Sequence, residues 1–115
     1  MGQLVRMIRE HFVKTITTTT YYDFETDPVP PNETWYIDAV AVELETDAPS
    51  EVRLGIRSAG YVIWACSDTA PTANELSSFS PRFNLREGET LVIRIYTNST
   101  AKEANAYVLG KGFMA

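Results

Sequence analysis

Residues 35–57, WYIDAVAVELETDAPSEVRLGIR, decide the fold class of this chain. The second part alternates apolar residues with charged ones, which is the pattern of a strand with one face in a core and one in water. The apolar residues are Val52, Leu54 and Ile56, and the charged ones are Glu51, Arg53 and Arg57. A polar turn with a proline, residues 47–50, comes before this strand. The stretch therefore predicts an antiparallel β-hairpin.

The first strand of this hairpin is apolar on both predicted faces. Strict alternation puts Tyr36, Val40, Val42 and Leu44 on one face and Trp35, Ile37, Ala39 and Ala41 on the other. Residues 61–66 and 91–96 show the same two-sided pattern. Each sheet of a two-layer sandwich has one face in water, so this pattern predicts a cover over the outer faces. A neighbouring subunit is the favoured cover, and a monomer with aromatic residues in loops or in one groove is the alternative.

The rest of the chain alternates short strand patterns with turn signals. Residues 15–25, 79–85, 90–97 and 104–113 carry the strand patterns, and tight turns are predicted at 58–60 and 86–89. Pro81 interrupts the second of these strands. With about eight strands and no convincing long helix after residue 14, the chain is predicted to be an all-β antiparallel sandwich or barrel.

Residues 1–14 differ from the rest in charge. The first 15 residues hold three basic residues and one acidic residue, whereas the remainder holds seven basic and fourteen acidic ones. The segment fits either a helix or an extended chain. It is predicted to be an arm that docks on a partner, with packing on its own domain as the alternative. The residues predicted to bind the partner are Leu4, Arg6, Ile8, Arg9, Phe12 and Lys14.

Composition narrows the possible partners. The formal net charge of -5 argues against nucleic acid, because phosphate binding needs a basic surface. The N-terminal residues lack the apolar core of a secretion signal, and no stretch has the roughly 20 apolar residues of a membrane span. The single cysteine, Cys66, cannot form an internal disulfide, so folding in a reducing compartment is expected. We predict no nucleic-acid partner and no membrane partner.

No catalytic pattern is visible in the sequence. His11 is the single histidine, and there is no glycine-rich phosphate loop, CxxC pair or histidine cluster. The acidic stripes 23–27 and 43–47 match no calcium-loop spacing and are predicted to be solvated. We therefore predict a protein that is not an enzyme and that has no cofactor and no metal. Its many aromatic residues fit a core, a subunit interface or a sugar-stacking platform.

The strings PVPPNETWYIDAVAVELETD (28–47) and LREGETLVIRIYTNSTAKEANAYVLGKGF (85–113) resemble small β-sandwich proteins of tailed bacteriophage virions. The similarity lies in the Pro-polar-Trp-Tyr-Ile start of an early strand and the Gly-Glu-x-Leu-x-Ile start of a late one. The resemblance implies a jelly roll, frequently trimeric, with an accessory structural role and no enzyme activity. It also implies that the N-terminal arm attaches the body to the particle.

These observations combine into one prediction. The chain has an arm over residues 1–14 and an antiparallel, jelly-roll-like β-sandwich over residues 15–115. It is a structural subunit of a virus particle, a capsid decoration (cement) protein or other accessory virion protein, made in the host cytoplasm. It binds capsid or other virion proteins and forms a homo-oligomer, with a trimer favoured. The predicted oligomer interface or aromatic surface contains Trp35, Ile37, Tyr61, Trp64 and Tyr96. The alternative is a carbohydrate-binding or adhesive β-sandwich.

Overall fold

The structure of the chain, a computed structural model, describes residues 2–17, 20–44, 51–68, 77–97 and 103–115. The described residues form nine strands and no helix. In chain order the strands are β1 (Leu4–Thr15), β2 (Tyr21–Glu25), β3 (Glu33–Leu44), β4 (Glu51–Ser58), β5 (Tyr61–Asp68), β6 (Ser77–Phe79), β7 (Phe83–Arg86), β8 (Thr90–Tyr96) and β9 (Glu103–Met114). Nowhere in this part of the chain is there a helix long and apolar enough to cross a membrane.

The strands form two antiparallel sheets. Sheet I has the order β1-β9-β3, and the short strands β6 and β7 share the far edge of β3. Sheet II has the order β2-β8-β4-β5. The predicted hairpin over residues 35–57 is therefore wrong, because β3 and β4 lie in different sheets, and its predicted turn at 47–50 lies outside the described residues. The chain passes between the sheets so that its first and last strands pair, which is the strand arrangement of a jelly roll. The structure thus confirms the predicted all-β, antiparallel, jelly-roll-like sandwich.

A β-bulge in β3 explains why this strand looks apolar on both faces. Ile37 lies opposite Gly110 of β9 and Ala39 lies opposite Leu109, so Asp38 is an extra residue without a partner in the ladder. The extra residue shifts the alternation by one position. As a result, Trp35 and Ile37 face the core together with Val40, Val42 and Leu44, all at most 5% exposed. The predicted assignment of these residues to opposite faces is wrong, and the bulge accounts for the apolar pattern on both predicted faces.

Residues 2–14 of the predicted arm do not form a separate segment in the structure. Their segment is β1, which pairs with β9 from Leu4 to Thr15 and forms an edge of sheet I. Ile8 is 4% exposed in the core, and Phe12 packs against the core at its margin. The alternation of these two residues with Arg9 and Val13 is that of a strand, so the extended alternative describes the segment. The predicted boundary at residue 14 is therefore replaced by one sandwich over the described chain.

A partly buried ion pair joins β1 to β3 at one end of the sandwich. The guanidinium of Arg6 donates two hydrogen bonds to the carboxylate of Glu33, each 2.7 Å long. The indole Nε1 of Trp35 donates a third hydrogen bond to Glu33 at 3.2 Å. The hydrogen bonds from Arg6 lower the pKa of Glu33, more than its burial raises it. This arrangement lets a carboxylate face the core, because its oxygens are satisfied.

The turns follow the local sequence. Ala59 and Gly60 both have positive φ values between β4 and β5, and Gly88 has a φ of 81° between β7 and β8. Both tight turns predicted from the sequence are confirmed. Between β6 and β7 the chain is interrupted at Pro81 and Arg82, and Arg82 has a φ of 54°. This interruption divides one predicted strand into two and brings the number of strands in the described residues to nine.

Candidate functional site

The outer face of sheet II combines charged side chains with aromatic ones. In β8, Leu91, Ile93 and Ile95 are fully buried in the core, so Arg94 and Tyr96 point outward. The strand register continues this outward face across the sheet. We call it the arginine–aromatic face, and its members are Tyr21, Asp23, Glu25, Glu51, Arg53, Gly55, Arg57, Val62, Trp64, Ser67, Thr90, Val92, Arg94 and Tyr96.

Arg94 occupies the centre of this face. Its guanidinium donates two hydrogen bonds to the carboxylate of Asp23, at 2.7 and 2.9 Å. The guanidinium carbon lies 3.9 Å from the ring centroid of Tyr21 and 4.7 Å from that of Trp64. The hydrogen bonds with Asp23 raise the pKa of Arg94 above its usual range. Arg94 is thus permanently charged, and its guanidinium is held by two parallel hydrogen bonds to Asp23 and by two aromatic rings.

Two further arginines on the face are also paired with carboxylates. Arg53 donates to both oxygens of Glu51, at 2.7 and 3.3 Å, and its guanidinium carbon lies 5.1 Å from the ring centroid of Tyr96. The hydrogen bond with Glu51 raises the pKa of Arg53. Arg57 donates to Glu25 at 3.1 Å. The guanidinium of Arg53 is therefore held by a carboxylate of its own strand, β4. That of Arg57 is held by a carboxylate of β2.

Trp64 borders this face because Gly55 leaves room for its indole. A Cβ atom at residue 55 would lie 2.8 Å from Cε3 of Trp64, closer than van der Waals contact allows. The half-buried indole lines a shallow cleft of about 250 Å³. The cleft is lined by Glu51, Arg53, Trp64, Ala65, Cys66 and Ser67. The cleft therefore has the apolar ring of Trp64 beside the hydrogen-bonding groups of the Glu51–Arg53 pair.

The arginine–aromatic face has many hydrogen-bonding groups and little net charge. Its three arginines, at residues 53, 57 and 94, each bind one carboxylate, at residues 51, 25 and 23. Paired charges keep their N–H donors and oxygen acceptors in defined directions. Aromatic rings beside them offer flat apolar surface. Such a surface suits a ligand that has both hydroxyl groups and apolar ring faces.

The structure separates the residues predicted for an oligomer interface or aromatic surface. It places Trp35 and Ile37 in the core, at 5% and 0% exposure, because the bulge at Asp38 turns both inward. Trp64 and Tyr96 lie on the arginine–aromatic face. Tyr61 lies next to the β4–β5 turn and is 78% exposed. Of the five predicted residues, only Trp64 and Tyr96 therefore share one outer surface.

The residues predicted to bind a partner through the arm are divided between the core and the surface. Ile8 and Phe12 pack inward, whereas Leu4, Arg9 and Lys14 are exposed. Arg6 is held by Glu33. In the acidic stripes, Asp23 and Glu25 bind arginines, and residues 45 and 47 lie outside the described part of the chain. Within that part, no group of acidic, histidine or cysteine side chains is arranged to hold a metal ion.

Sequence reasoning did not select Arg53 and Arg94 as site residues. A signal for Arg94 is present, because a cation in the apolar run 91–96 must face away from Ile93 and Ile95. Its ring partners cannot be found in this way. Tyr21 and Trp64 are 43 residues apart in the chain. They reach Arg94 because β2 and β4 both pair with β8, and β5 pairs with β4.

Comparisons with known proteins identify no family for this chain. No protein-family model and no curated protein sequence matches the chain. Among solved structures, the chain is similar to a carbohydrate-binding module, TmCBM61, whose structure was determined in complex with β-1,4-galactotriose. The two chains are 9% identical with a TM-score of 0.39, over 99% of this chain and 92% of that one. The chain is an all-β sandwich of two antiparallel sheets.

Proposed function

We propose that this protein is a carbohydrate-binding β-sandwich and that the arginine–aromatic face is its binding surface. The observation that carries the proposal is the combination of Trp64 with paired arginines. The indole of Trp64 lines a cleft together with Glu51 and Arg53, and Arg94 lies 4.7 Å from its ring centroid. A sugar ring would stack on the indole while its hydroxyl groups exchange hydrogen bonds with the guanidinium and carboxylate groups.

The charges of the face favour a neutral sugar. Each arginine on the face is matched by a carboxylate at 2.7 to 3.1 Å, so a phosphate or uronate would have to compete with an existing ion pair. A nucleic-acid surface would need an excess of basic side chains instead. A neutral oligosaccharide gains hydrogen bonds from both members of each pair without displacing either. We therefore expect uncharged glycans as ligands.

Replacement of Trp64 by alanine should abolish most of the binding. Truncating an aromatic side chain at the centre of a binding surface costs about 1.5–3 kcal/mol, which corresponds to a roughly 10- to 100-fold weaker Kd. A glycan array of neutral and anionic sugars would identify the ligand. Titration of tryptophan fluorescence would then measure the Kd of the unchanged protein, because Trp35 is only 5% exposed and a change in signal reports on Trp64. Calorimetric titration would measure the Kd of Trp64→Ala, which lacks this reporter.

The matched control is Tyr61→Ala, which truncates an aromatic side chain on the same strand. Tyr61 is 78% exposed and lies next to the β4–β5 turn, outside the arginine–aromatic face. This variant should bind the selected glycan as tightly as the unchanged protein. An array without any hit, or equal losses in both variants, would contradict the proposal.

A subunit of a virus particle remains the second candidate function. The observation that favours it is the exposed apolar start of β1, where Leu4 and Val5 are 47% and 42% exposed. Such residues at a strand end suit attachment to another protein. If the protein decorates a capsid, it should sediment with particles from the strain that encodes it, and Val5→Asp should reduce the bound fraction severalfold. Equal sedimentation of both forms would contradict attachment through β1.

A further inference from the structure

The outer face of sheet I is a second exposed surface, on the opposite side of the sandwich. Its strands are β1, β9 and β3, each 12 residues long. At its middle, the ring of His11 stacks on that of Tyr107, with centroids 4.5 Å apart and an angle of 10° between the planes. Around this pair, Met7, Val13 and Leu109 are 55%, 50% and 49% exposed. Exposed apolar side chains concentrated on one sheet face indicate an interaction surface.

The charges on this face are separated along the strands. Arg9 and Lys111 lie on one side of the Tyr107 ring, and Glu43 and Glu103 lie on the other. Among the described residues, Arg9, Lys111 and Glu103 have no ion pair. Near β3, at the basic end of the face, the opposite charges of Asp38 and Arg86 cancel each other. The face therefore has a basic end and an acidic end on either side of an aromatic centre.

We propose that this face binds the same face of a second copy of the chain, around a two-fold axis close to Tyr107. Lys111 and Glu103 lie at equal distances from Tyr107, four residues away on either side along β9. An antiparallel, face-to-face arrangement puts Lys111 of one copy over Glu103 of the other, and the reverse. Each basic end then meets an acidic end twice in the dimer. A parallel arrangement would put like charges together, which disfavours it.

The size of the face is suitable for a stable dimer. Three strands of 12 residues, with β6 and β7 beside them, span roughly 40 Å by 19 Å, or about 760 Å². Stable protein interfaces bury about 800 Å² on each partner. The exposed side chains at the centre, Met7, Val13 and Leu109, are of the kind found in interface cores.

The dimer would have its sheets in the order II–I–I–II, and this has a consequence for ligand binding. The two arginine–aromatic faces would point in opposite directions. If the proposed function is correct, each dimer would bridge two glycan chains rather than bind one chain twice. The dimer itself does not depend on that function, because it rests only on the outer face of sheet I.

The first test is the solution mass of the full chain by light scattering over a range of concentrations. We expect twice the chain mass, and a shift to the monomer for Leu109→Glu, which puts a charge at the centre of the interface. Ile63→Glu is the matched control, since Ile63 is 66% exposed on β5 of sheet II and is not part of the outer face of sheet I. A monomer at every concentration, or a dimer that Leu109→Glu leaves intact, would overturn the proposal.

A charge exchange tests the predicted two-fold arrangement. Lys111→Glu and Glu103→Lys should each weaken the dimer about tenfold, because each puts like charges together at two symmetric places. The double variant restores opposite charges and should return the dimer Kd to within about threefold of its original value. A double variant as weak as either single variant would refute the two-fold arrangement.

Sugar binding and self-association can be separated in the same samples. Leu109→Glu should remain folded by circular dichroism and should bind the selected glycan with an unchanged Kd per chain. If no glycan binds, the light-scattering results still decide the dimer. If the chain is monomeric, the fluorescence titration still decides the sugar-binding function.

Discussion

Deletion of Tyr36 is expected to unfold most of the protein, whereas deletion of Asp38, two residues later, is expected to leave it folded. The reason is the bulge in β3. Asp38 has no partner on β9, so its removal leaves Ile37 opposite Gly110 and Ala39 opposite Leu109 as before. The strand then alternates regularly, and every buried side chain of β3 keeps its direction.

Deletion of Tyr36 removes a residue that the alternation needs. If the pairing beyond Ala39 is kept, Asp38 takes the inward position of Ile37, and Ile37 moves into water. Exposing Ile37 costs about 1.5–3 kcal/mol, and facing a carboxylate into the core costs several more. Keeping the bulge instead would turn Trp35 and Glu33 outward, with a similar loss. Since whole domains are stable by only about 5–15 kcal/mol, little folded protein should remain.

Circular dichroism and urea unfolding of the two deletion variants would test this expectation. The variants lose one residue each from the same strand, so they control for the shortening of the chain. A folded Tyr36 deletion beside an unfolded Asp38 deletion would show that the bulge does not set the phase of β3.

The second large effect is expected for Trp35→Ala, with a loss of about 3–5 kcal/mol in the free energy of unfolding. The indole of Trp35 is 5% exposed and fills space in the core. Its removal leaves a cavity, and it also removes the hydrogen bond that Nε1 donates to Glu33 at 3.2 Å. Arg6 would then be the remaining donor to that buried carboxylate among the contacts seen here.

Two further substitutions separate the causes of that loss. Trp35→Phe keeps most of the packing and removes the N–H donor, so it should show about half of the loss. Trp64→Ala should destabilise the fold less than Trp35→Ala, because Trp64 is half-buried on an outer face. Urea unfolding measures all three. A larger loss for Trp64→Ala than for Trp35→Ala would contradict the assignment of one tryptophan to the core and the other to the surface.

The two tryptophans also show how far the sequence can be interpreted without a structure. Both lie in runs that are apolar on two faces, and the sequence offers no means to tell them apart. Trp35 is turned inward by an extra residue three positions later, and Trp64 precedes an extra residue of β5, Ala65, where the register with β4 shifts. A bulge is a property of two paired strands, so strict alternation along one strand cannot reveal it.

The N-terminal segment shows a different limit. Its charge set it apart from the rest of the chain and suggested an arm. The structure instead pairs it with β9, whose residues lie 88 to 109 positions after their partners in the chain. The alternation of Ile8 and Phe12 with polar residues predicts a strand. It does not show which distant strand provides the backbone hydrogen bonds of that strand. Charge alone therefore did not distinguish an edge strand from a tether.

By itself, the sequence determined the all-β class, the antiparallel sandwich and the positions of its tight turns. These features follow from alternation of apolar residues and from turn residues such as Gly60 and Gly88, which act over a few neighbouring positions. Only the tertiary structure decided which aromatic residues are core, that β1 is part of sheet I, and that Tyr21, Arg94 and Trp64 meet on one face. These features depend on the register between strands distant in sequence, which is set by the packing of the whole sandwich.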